Sequence, residues 1–175
     1  MDIKPLIRTI PDHPKPGIQF RDITTLLLDP DGVRSAVTQL AGPFGNGQIQ
    51  KVAGVEARGF IFGLAVAMEL DVGFVPIRKP GKLPWETVGE DYQLEYGSDR
   101  VEIHRDAIQA GERILLVDDL IATGGTAEAA IRVIERVGGK VEGCAFVIEL
   151  PDLGGRSRVE ADGRQVLSIC SFAGE

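Results

Sequence analysis

Residues 114–126 read ILLVDDLIATGGT, and this stretch carries the strongest signal of the fold class. It begins as an unbroken apolar run, which is typical of a central strand in a parallel sheet that helices cover on both faces. Two acids follow the run, and a short spacer then leads to a Thr-Gly-Gly-Thr turn and an amphipathic helical pattern. A strand, a turn and a helix in this order indicate one unit of an open α/β sheet.

The rest of the chain repeats this alternation. Apolar runs predict strands at residues 51–56, 71–77, 113–117, 141–150 and 165–171, and helical spacing predicts helices at residues 59–70 and 126–137. We therefore predict an α/β fold with an open, mostly parallel sheet, helices on both faces and right-handed crossovers. Since no repeat, low-complexity tract or linker divides the sequence, we predict one domain over residues 1–175.

Two segments do not follow the alternation. Residues 1–31 contain five prolines, so we predict at most one short helix there and a small cap that wraps over the domain. Residues 78–99 contain prolines, glycines and many polar residues between two strong strands. Long loops without regular structure are uncommon in compact domains and are often active-site lids, so we interpret this segment as a flexible flap.

Composition excludes some classes of function. A formal net charge of −7 disfavours binding to nucleic acid, which depends on cationic side chains. No apolar run has the length needed to cross a bilayer, and the first residues lack the apolar core of a signal peptide. Cys144 and Cys170 lie far apart in apolar stretches, which favours buried thiols in a reducing compartment. We expect a cytoplasmic protein without a membrane or nucleic-acid partner.

The turn after the apolar run has the chemistry of a phosphate site. Ligands of open α/β sheets bind beyond the carboxyl ends of the strands. Backbone N–H groups of Thr123, Gly124, Gly125 and Thr126, together with the positive end of the helix dipole, can converge there on a phosphate. The turn has neither the Walker A pattern nor the dinucleotide pattern G-x-G-x-x-G. The alternative is an ordinary strand-to-helix turn.

The two acids before the turn suit a sugar or a cation. Asp118 and Asp119 can accept hydrogen bonds from vicinal hydroxyls, or can hold Mg²⁺ directly or through water. A phosphorylated sugar would satisfy both the acids and the turn. The alternative is that the acids only end a strand.

Residues 114–126 resemble the signature of type I phosphoribosyltransferases, which binds 5-phosphoribosyl-1-diphosphate (PRPP). The resemblance implies that Asp118 and Asp119 bind the ribose hydroxyls. It also implies Mg²⁺ as the cofactor, held mainly by PRPP, with the two acids able to help. By the same resemblance, the 5′-phosphate is bound by Ala122, Thr123, Gly124, Gly125 and Thr126.

Residues 14–26, PKPGIQFRDITTL, are similar to the amino-terminal element of the adenine-specific branch of that family. In this branch an aromatic ring stacks on the adenine. The likeness implies that Phe20 stacks on the base and that Gln19 and Arg21 lie beside it. The chain departs from the branch at Thr25, where proline is common.

Two basic segments resemble the parts of the family that bind pyrophosphate. Residues 55–60, VEARGF, are similar to the pyrophosphate loop, which implies that Arg58 grips phosphate oxygens with its guanidinium group. Residues 77–84, IRKPGKLP, match the start of the branch's flexible loop and imply Lys79 and Lys82 as further ligands. The alternatives are a solvated arginine at a strand end and a plain surface cluster.

Residues 92–97, YQLEYG, resemble the flap element that presents a catalytic carboxylate to the purine ring. The resemblance implies that Glu95 shares a proton at N7 and so makes N9 more nucleophilic. The alternative is a solvated glutamate on a hairpin.

Together these resemblances imply an enzyme that transfers the phosphoribosyl group of PRPP to adenine in purine salvage, giving AMP and pyrophosphate. They also imply a homodimer whose interface involves the apolar helix at residues 59–70, although that helix could equally be core. Two rival functions stay open: a non-catalytic PRPP sensor, and transfer to another base such as orotate, xanthine, hypoxanthine or guanine.

Overall fold

The computed structural model describes residues 1–94, 97–160 and 162–174. The strands are β1 (Arg8–Ile10), β2 (Phe20–Asp22), β3 (Lys51–Val55), β4 (Gly73–Ile77), β5 (Thr87–Leu94), β6 (Gly97–His104), β7 (Arg113–Ile121), β8 (Lys140–Glu149) and β9 (Gln165–Ser171). The α-helices are α1 (Thr24–Leu27), α2 (Pro30–Ala41), α3 (Arg58–Glu69), α4 (Gly125–Arg136) and α5 (Gly155–Glu160). In this part of the chain no helix is long and apolar enough to span a membrane.

A five-stranded parallel sheet forms the centre of the molecule, with the strand order β4-β3-β7-β8-β9. Ile114 and Leu116 of β7 belong to the core beneath α4, whereas Leu115 and Val117 belong to the core beneath α2 and α3. Because successive side chains of a strand point to opposite faces, a strand buried on both sides must be apolar throughout. The predicted fold is confirmed, and β7 runs four residues further than predicted, to Ile121.

Helix α2 was not predicted. Its start nevertheless has a clear local signal, because Asp29 accepts a hydrogen bond from Gly32 N at 2.8 Å and Pro30 occupies the first turn. The amino-terminal segment also contains more regular structure than predicted. Besides short helical turns, it forms an antiparallel pair of strands in which Arg8 lies opposite Asp22.

Residues 78–99 are not simply an irregular loop. Strands β5 and β6 pair as an antiparallel hairpin that extends beyond the proposed flap to His104. Tyr92, Val101 and Ile103 of the hairpin are buried in the core shared with α4. Turn-forming residues at the start of the segment hid this strand pattern in the sequence. The hairpin therefore packs on the helix that follows the Thr-Gly-Gly-Thr turn.

Candidate active site

Two adjoining cavities open at the carboxyl edge of the central sheet. The first, which we call the donor cavity, has a volume of about 520 Å³ and is lined by residues 55–58, Lys79, Tyr92 and residues 118–127. The second, the base cavity, has a volume of about 370 Å³ and is lined by residues 18–21 and by the side chains of Leu150 and Leu153. They share a boundary formed by Arg58, Leu120 and Thr123.

The acid pair lies at the floor of the donor cavity. Asp119 is only 4% exposed, and its Oδ2 is 2.9 Å from Arg58 Nε. Asp118 Oδ1 accepts a hydrogen bond from the backbone N–H of Asp119 at 2.9 Å. It packs so closely on helix α3 that a Cβ at Gly59 would be 2.7 Å from it.

The environment of the pair changes its protonation. Burial raises the pKa of Asp118 well above its usual range, and the neighbouring charge of Asp119 raises the pKa further. Among the described residues, Asp119 Oδ2 has no partner that meets hydrogen-bond geometry, although Arg58 lies within ion-pair distance. The two carboxyl groups therefore repel each other when both are charged, and Asp119 Oδ2 lacks a hydrogen-bond donor in the described part of the chain. Such a site suits a ligand that brings hydroxyl groups or a cation.

The Thr-Gly-Gly-Thr turn closes the other side of the donor cavity. Gly124 takes a left-handed φ of 83° immediately before α4, and a Cβ there would meet the backbone of Gly155 at 3.0 Å. Gly155 N in turn donates to Ala122 O at 3.0 Å. Arg158 Nη1 donates to Thr123 O at 3.4 Å. Helix α5, which had not been predicted, thus supports the turn from behind. The amides of the turn begin α4, a helix of twelve residues.

The predicted cationic ligands are not equally placed. Arg58 begins α3 and reaches the boundary of both cavities with its side chain 46% exposed. Lys79 lines the donor cavity, but its ammonium group pairs with Asp99 and with Tyr92. Burial lowers the pKa of Lys79, and the hydrogen bonds to Asp99 and Tyr92 outweigh this effect and raise it. Lys82 is exposed and does not line either cavity.

Tyr92, Asp99 and Glu56 contact this basic segment, and these contacts were missed in the sequence. Tyr92 and Asp99 come from the hairpin, and Glu56 Oε1 accepts hydrogen bonds from Arg78 Nε at 3.1 Å and from Lys79 N at 2.8 Å. Glu56 directly follows strand β3 and so ties the start of the hairpin segment to the sheet. Only the acid of the VEARGF motif pointed to this contact, because the partners are distant in sequence.

The base cavity combines an aromatic ring with an aliphatic wall. Phe20 lies edge-on to His13, with the ring centroids 5.1 Å apart, and the Arg58 guanidinium carbon is 5.6 Å from the centroid of Phe20. Leu150 and Leu153 form the aliphatic wall of the same cavity. They were missed because nothing local distinguishes them from core leucines.

Gln19 and Arg21 were predicted beside the base, and both line the base cavity. The Arg21 side chain, however, bonds to Thr9 Oγ1 at 2.7 Å and to Ala173 O at 3.2 Å. The remaining predicted site residue, Glu95, lies outside the described residues. The nearest described residues on either side, Leu94 and Gly97, pair with each other in the hairpin, and Gln93 O would be 3.9 Å from a Cβ at Gly125.

The described part of the chain contains no cluster of three or more His, Cys, Asp and Glu side chains arranged to hold a metal ion. Metal binding here would therefore draw on the acid pair together with oxygens of a ligand.

The fold and the donor cavity are those of a phosphoribosyltransferase, and a family model described as a phosphoribosyl transferase domain matches residues 27–169. The adenine phosphoribosyltransferase of Parvibaculum lavamentivorans is 62% identical over 174 residues, 99% of each chain. The crystal structure of the Rhodothermus marinus adenine phosphoribosyltransferase has a TM-score of 0.91 at 55% identity, covering 97% of this chain and 96% of the other.

The Saccharomyces cerevisiae adenine phosphoribosyltransferase, solved in complex with an imino-altritol bisphosphate and adenine, has a TM-score of 0.89 at 38% identity and covers 95% and 96% of the two chains. The chain therefore belongs to the adenine phosphoribosyltransferase family.

Proposed function

We propose that the protein transfers the 5-phosphoribosyl group from PRPP to adenine and releases AMP and pyrophosphate. The observation that carries this proposal is the junction of two cavities of different chemistry at Arg58, Leu120 and Thr123. One cavity offers amides, acids and cations, whereas the other offers an aromatic ring and aliphatic side chains. A phosphorylated sugar and a planar base fit them separately, and the junction brings their reacting atoms together.

The donor would be held by its charges. Backbone amides at residues 123–126 and the dipole of α4 would bind the 5′-phosphate, and Asp118 and Asp119 would accept hydrogen bonds from the ribose hydroxyls. Arg58 would bind the pyrophosphate group. Lys79 would also bind the pyrophosphate once its ion pair with Asp99 is broken. Lys82 does not line the cavity and would contribute only if its segment moved toward it.

The base would be held by packing and by main-chain groups. Phe20 would stack on the adenine ring, and the aliphatic wall of Leu150 and Leu153 would cover its other side. Gln19 and Arg21 would face its edge. Holding the base and sugar in line turns an encounter in solution into a positioned reaction, which can remove about 7 kcal/mol or more of the barrier.

Catalysis would then be largely electrostatic. As the bond from C1 of ribose to pyrophosphate breaks, Arg58 and Lys79 would stabilise the charge that develops on the leaving group. Glu95 would share a proton at N7 of adenine so that N9 attacks C1, a general acid-base contribution of about 10² to 10⁴ in rate. Closure of the hairpin would exclude water, which could otherwise hydrolyse PRPP.

We propose Mg²⁺ as the cofactor. The residues fit it, because Asp119 Oδ2 is buried, lacks a hydrogen bond in the described part of the chain and lies beside the space for the ribose. Carboxylate and phosphate oxygens are the ligands that Mg²⁺ prefers. PRPP would bind most of the ion's coordination sphere, with help from Asp118 and Asp119, and the ion would supply charge neutralisation at the diphosphate.

We also propose a cytoplasmic homodimer that pairs through helix α3. Ile61, Leu64 and Met68 recur along one face of this helix with exposed fractions of 44%, 51% and 74%. An apolar face of this kind favours burial against a second copy. Sedimentation should therefore give a dimer, and Leu64→Glu should give monomers. A cytoplasmic location is supported by free thiols at Cys144 and Cys170.

The proposed reaction is tested by pyrophosphate release from PRPP and Mg²⁺ with adenine, guanine, hypoxanthine, xanthine and orotate in parallel. We expect strong preference for adenine. Preference for another base would reject the assignment of the base cavity, and PRPP binding without turnover of any base would favour a sensor.

The role of Glu95 is tested by Glu95→Gln, for which we expect kcat to fall by about 10² to 10⁴ while the Kd for PRPP hardly changes. Glu86→Gln is the matched control, since Glu86 lies in the same segment with a side chain 71% exposed. Near-normal turnover of Glu95→Gln would remove this residue from the mechanism.

A further inference from the structure

The two walls of the base cavity come from distant parts of the chain. One wall, residues 18–21, includes the start of β2. Within the described part of the chain, β1 and β2 pair only with each other, over three residues each. A two-stranded sheet this short is marginal on its own. The other wall, Leu150 and Leu153, follows directly from β8 of the central sheet. Stacking a planar base between them requires that their spacing be held by something else.

The carboxyl-terminal tail contacts the elements that carry both walls. Phe172 N donates to Glu149 O at 3.0 Å, which anchors the tail to the end of β8. Gly174 N donates to Asp152 Oδ2 at 2.7 Å, and Asp152 lies between the two leucines of the aliphatic wall. On the opposite side, Ala173 O accepts a hydrogen bond from Arg21 Nη2 at 3.2 Å.

Arg21 is the point at which the tail meets the base-stacking wall. Its guanidinium carbon is 4.5 Å from the centroid of the Phe172 ring, a cation–π distance. Its Nη1 donates at 2.7 Å to Thr9, which lies opposite Arg21 in the β1–β2 pair. Arg21 lines the base cavity, but these hydrogen bonds connect its side chain to β1 and the tail.

We propose that residues 172–174 form a tail clasp that sets the spacing of the two walls of the base cavity, with Arg21 as its positioning residue. The inference rests on the proposed function for its kinetic consequence. Arg21 lines the base cavity and contributes its guanidinium group to the clasp. Because residues 172–174 do not line the donor cavity, the clasp acts on adenine binding and not on PRPP binding.

The kinetic test compares variants of the ring at Phe172. Phe172→Leu keeps an apolar side chain but removes the aromatic face, so we expect the KM for adenine to rise about three- to fivefold. A chain ending at residue 171 also loses the hydrogen bonds of Ala173 and Gly174, so we expect a rise of about tenfold or more. Phe172→Tyr should restore the adenine KM. In all of these variants the KM for PRPP should stay within about twofold of the parent value.

Lys4→Met is the matched control, because Lys4 Nζ also lies over the Phe172 ring, 4.9 Å from its centroid, whereas the hydrogen bonds to Thr9 and Ala173 come from Arg21. It should leave both KM values unchanged. An unchanged adenine KM in Phe172→Leu and in the shortened chain would overturn the clasp. A parallel rise in the KM for PRPP would also overturn it, because the tail would then act on the whole site.

A second readout separates the clasp from the proposed function. Amide hydrogen exchange in Phe172→Leu should become faster at residues 20–22 and stay unchanged in β7. This holds whether or not the parent protein turns over adenine. Failure of the parent protein to use adenine would reject the proposed function alone, whereas unchanged exchange at residues 20–22 would reject the clasp.

Discussion

The donor cavity and the base cavity are supported in different ways. The donor cavity lies on the carboxyl ends of β3 and β7, two neighbouring strands of the central sheet, and its acids continue a strand buried on both faces. The base cavity is built from a three-residue strand, a short turn after β8 and contacts with the tail. In the proposed reaction, the core would position the charged donor, whereas peripheral contacts would position the base.

The two cavities also differ in their electrostatics. In the donor cavity, Arg58 pairs with Asp119 and Lys79 pairs with Asp99, so an anionic ligand must exchange partners with groups that are already paired. The base cavity owes its shape mainly to Phe20 and aliphatic side chains. Substitutions in the donor cavity should therefore change charge-dependent affinity, and substitutions near the base should change fit.

The largest effect is expected for Asp118→Asn combined with Asp119→Asn. The variant should lose kcat/KM for PRPP by about a thousandfold, because amides replace both carboxyl groups that would accept hydrogen bonds from the ribose hydroxyls. Thermal unfolding should show no loss of stability, since burial and mutual repulsion already oppose ionisation of Asp118. Asp31→Asn, at a side chain 78% exposed on α2, is the control. An unchanged KM for PRPP would contradict the ribose assignment.

A second comparison uses two glycines with similar backbone angles. Gly124 and Gly154 have φ values of 83° and 73°, so alanine at either position costs about 1–2 kcal/mol of unfolding free energy. Only Gly124→Ala also meets a neighbour, the backbone of Gly155 at 3.0 Å. We expect it to lose more stability and to raise the KM for PRPP by about tenfold or more. Equal behaviour of the two variants would show that the turn tolerates displacement.

Asp22 should make the free energy of unfolding depend on pH in the acidic range. A backbone hydrogen bond from Thr24, followed by the bond from Arg8, lowers the pKa of Asp22 from 3.8 to about 2. Because the folded value is the lower one, this stabilisation is present above pH 3.8 and is lost as the pH falls toward 2. It amounts to about 2 kcal/mol.

Urea unfolding at several pH values should show this loss in the parent protein and a flatter acid side in Asp22→Asn. The raised pKa of Asp118 has the opposite sign, since its contribution to stability is lost as the pH rises through the folded value. If the free energy of unfolding of Asp22→Asn falls as strongly with decreasing pH as that of the parent protein, Asp22 is not the group responsible.

The smallest effect is expected at Asp99. Asp99→Asn removes the charge that holds Lys79, so the Kd for pyrophosphate should fall by about two- to fivefold, as measured by calorimetry. Asp91→Asn is the control on the same hairpin, because Asp91 pairs with Arg100 instead. Weaker binding in Asp99→Asn would mean that Asp99 orients Lys79 for the ligand and does not compete with it.

Several features could be predicted from the sequence because their signals are local. The apolar run of β7, the acids after it and the glycine turn are contiguous, so strand, ligand edge and helix start follow from one stretch. Helix α2 was missed although Asp29 and Pro30 mark its start. The hairpin was missed because its two strands follow a segment rich in turn-forming residues.

The fold class, the family and the acidic, basic and glycine residues of the donor cavity could be predicted from the sequence. Hydrophobic periodicity and short motifs carry this information along the chain. The tertiary structure was needed to show that Lys79 is held by Asp99, that Leu150 and Leu153 line one cavity with Phe20, and that the Arg21 side chain extends to the tail. The physical reason is that these contacts join residues far apart in sequence, whose approach depends on how the elements pack together.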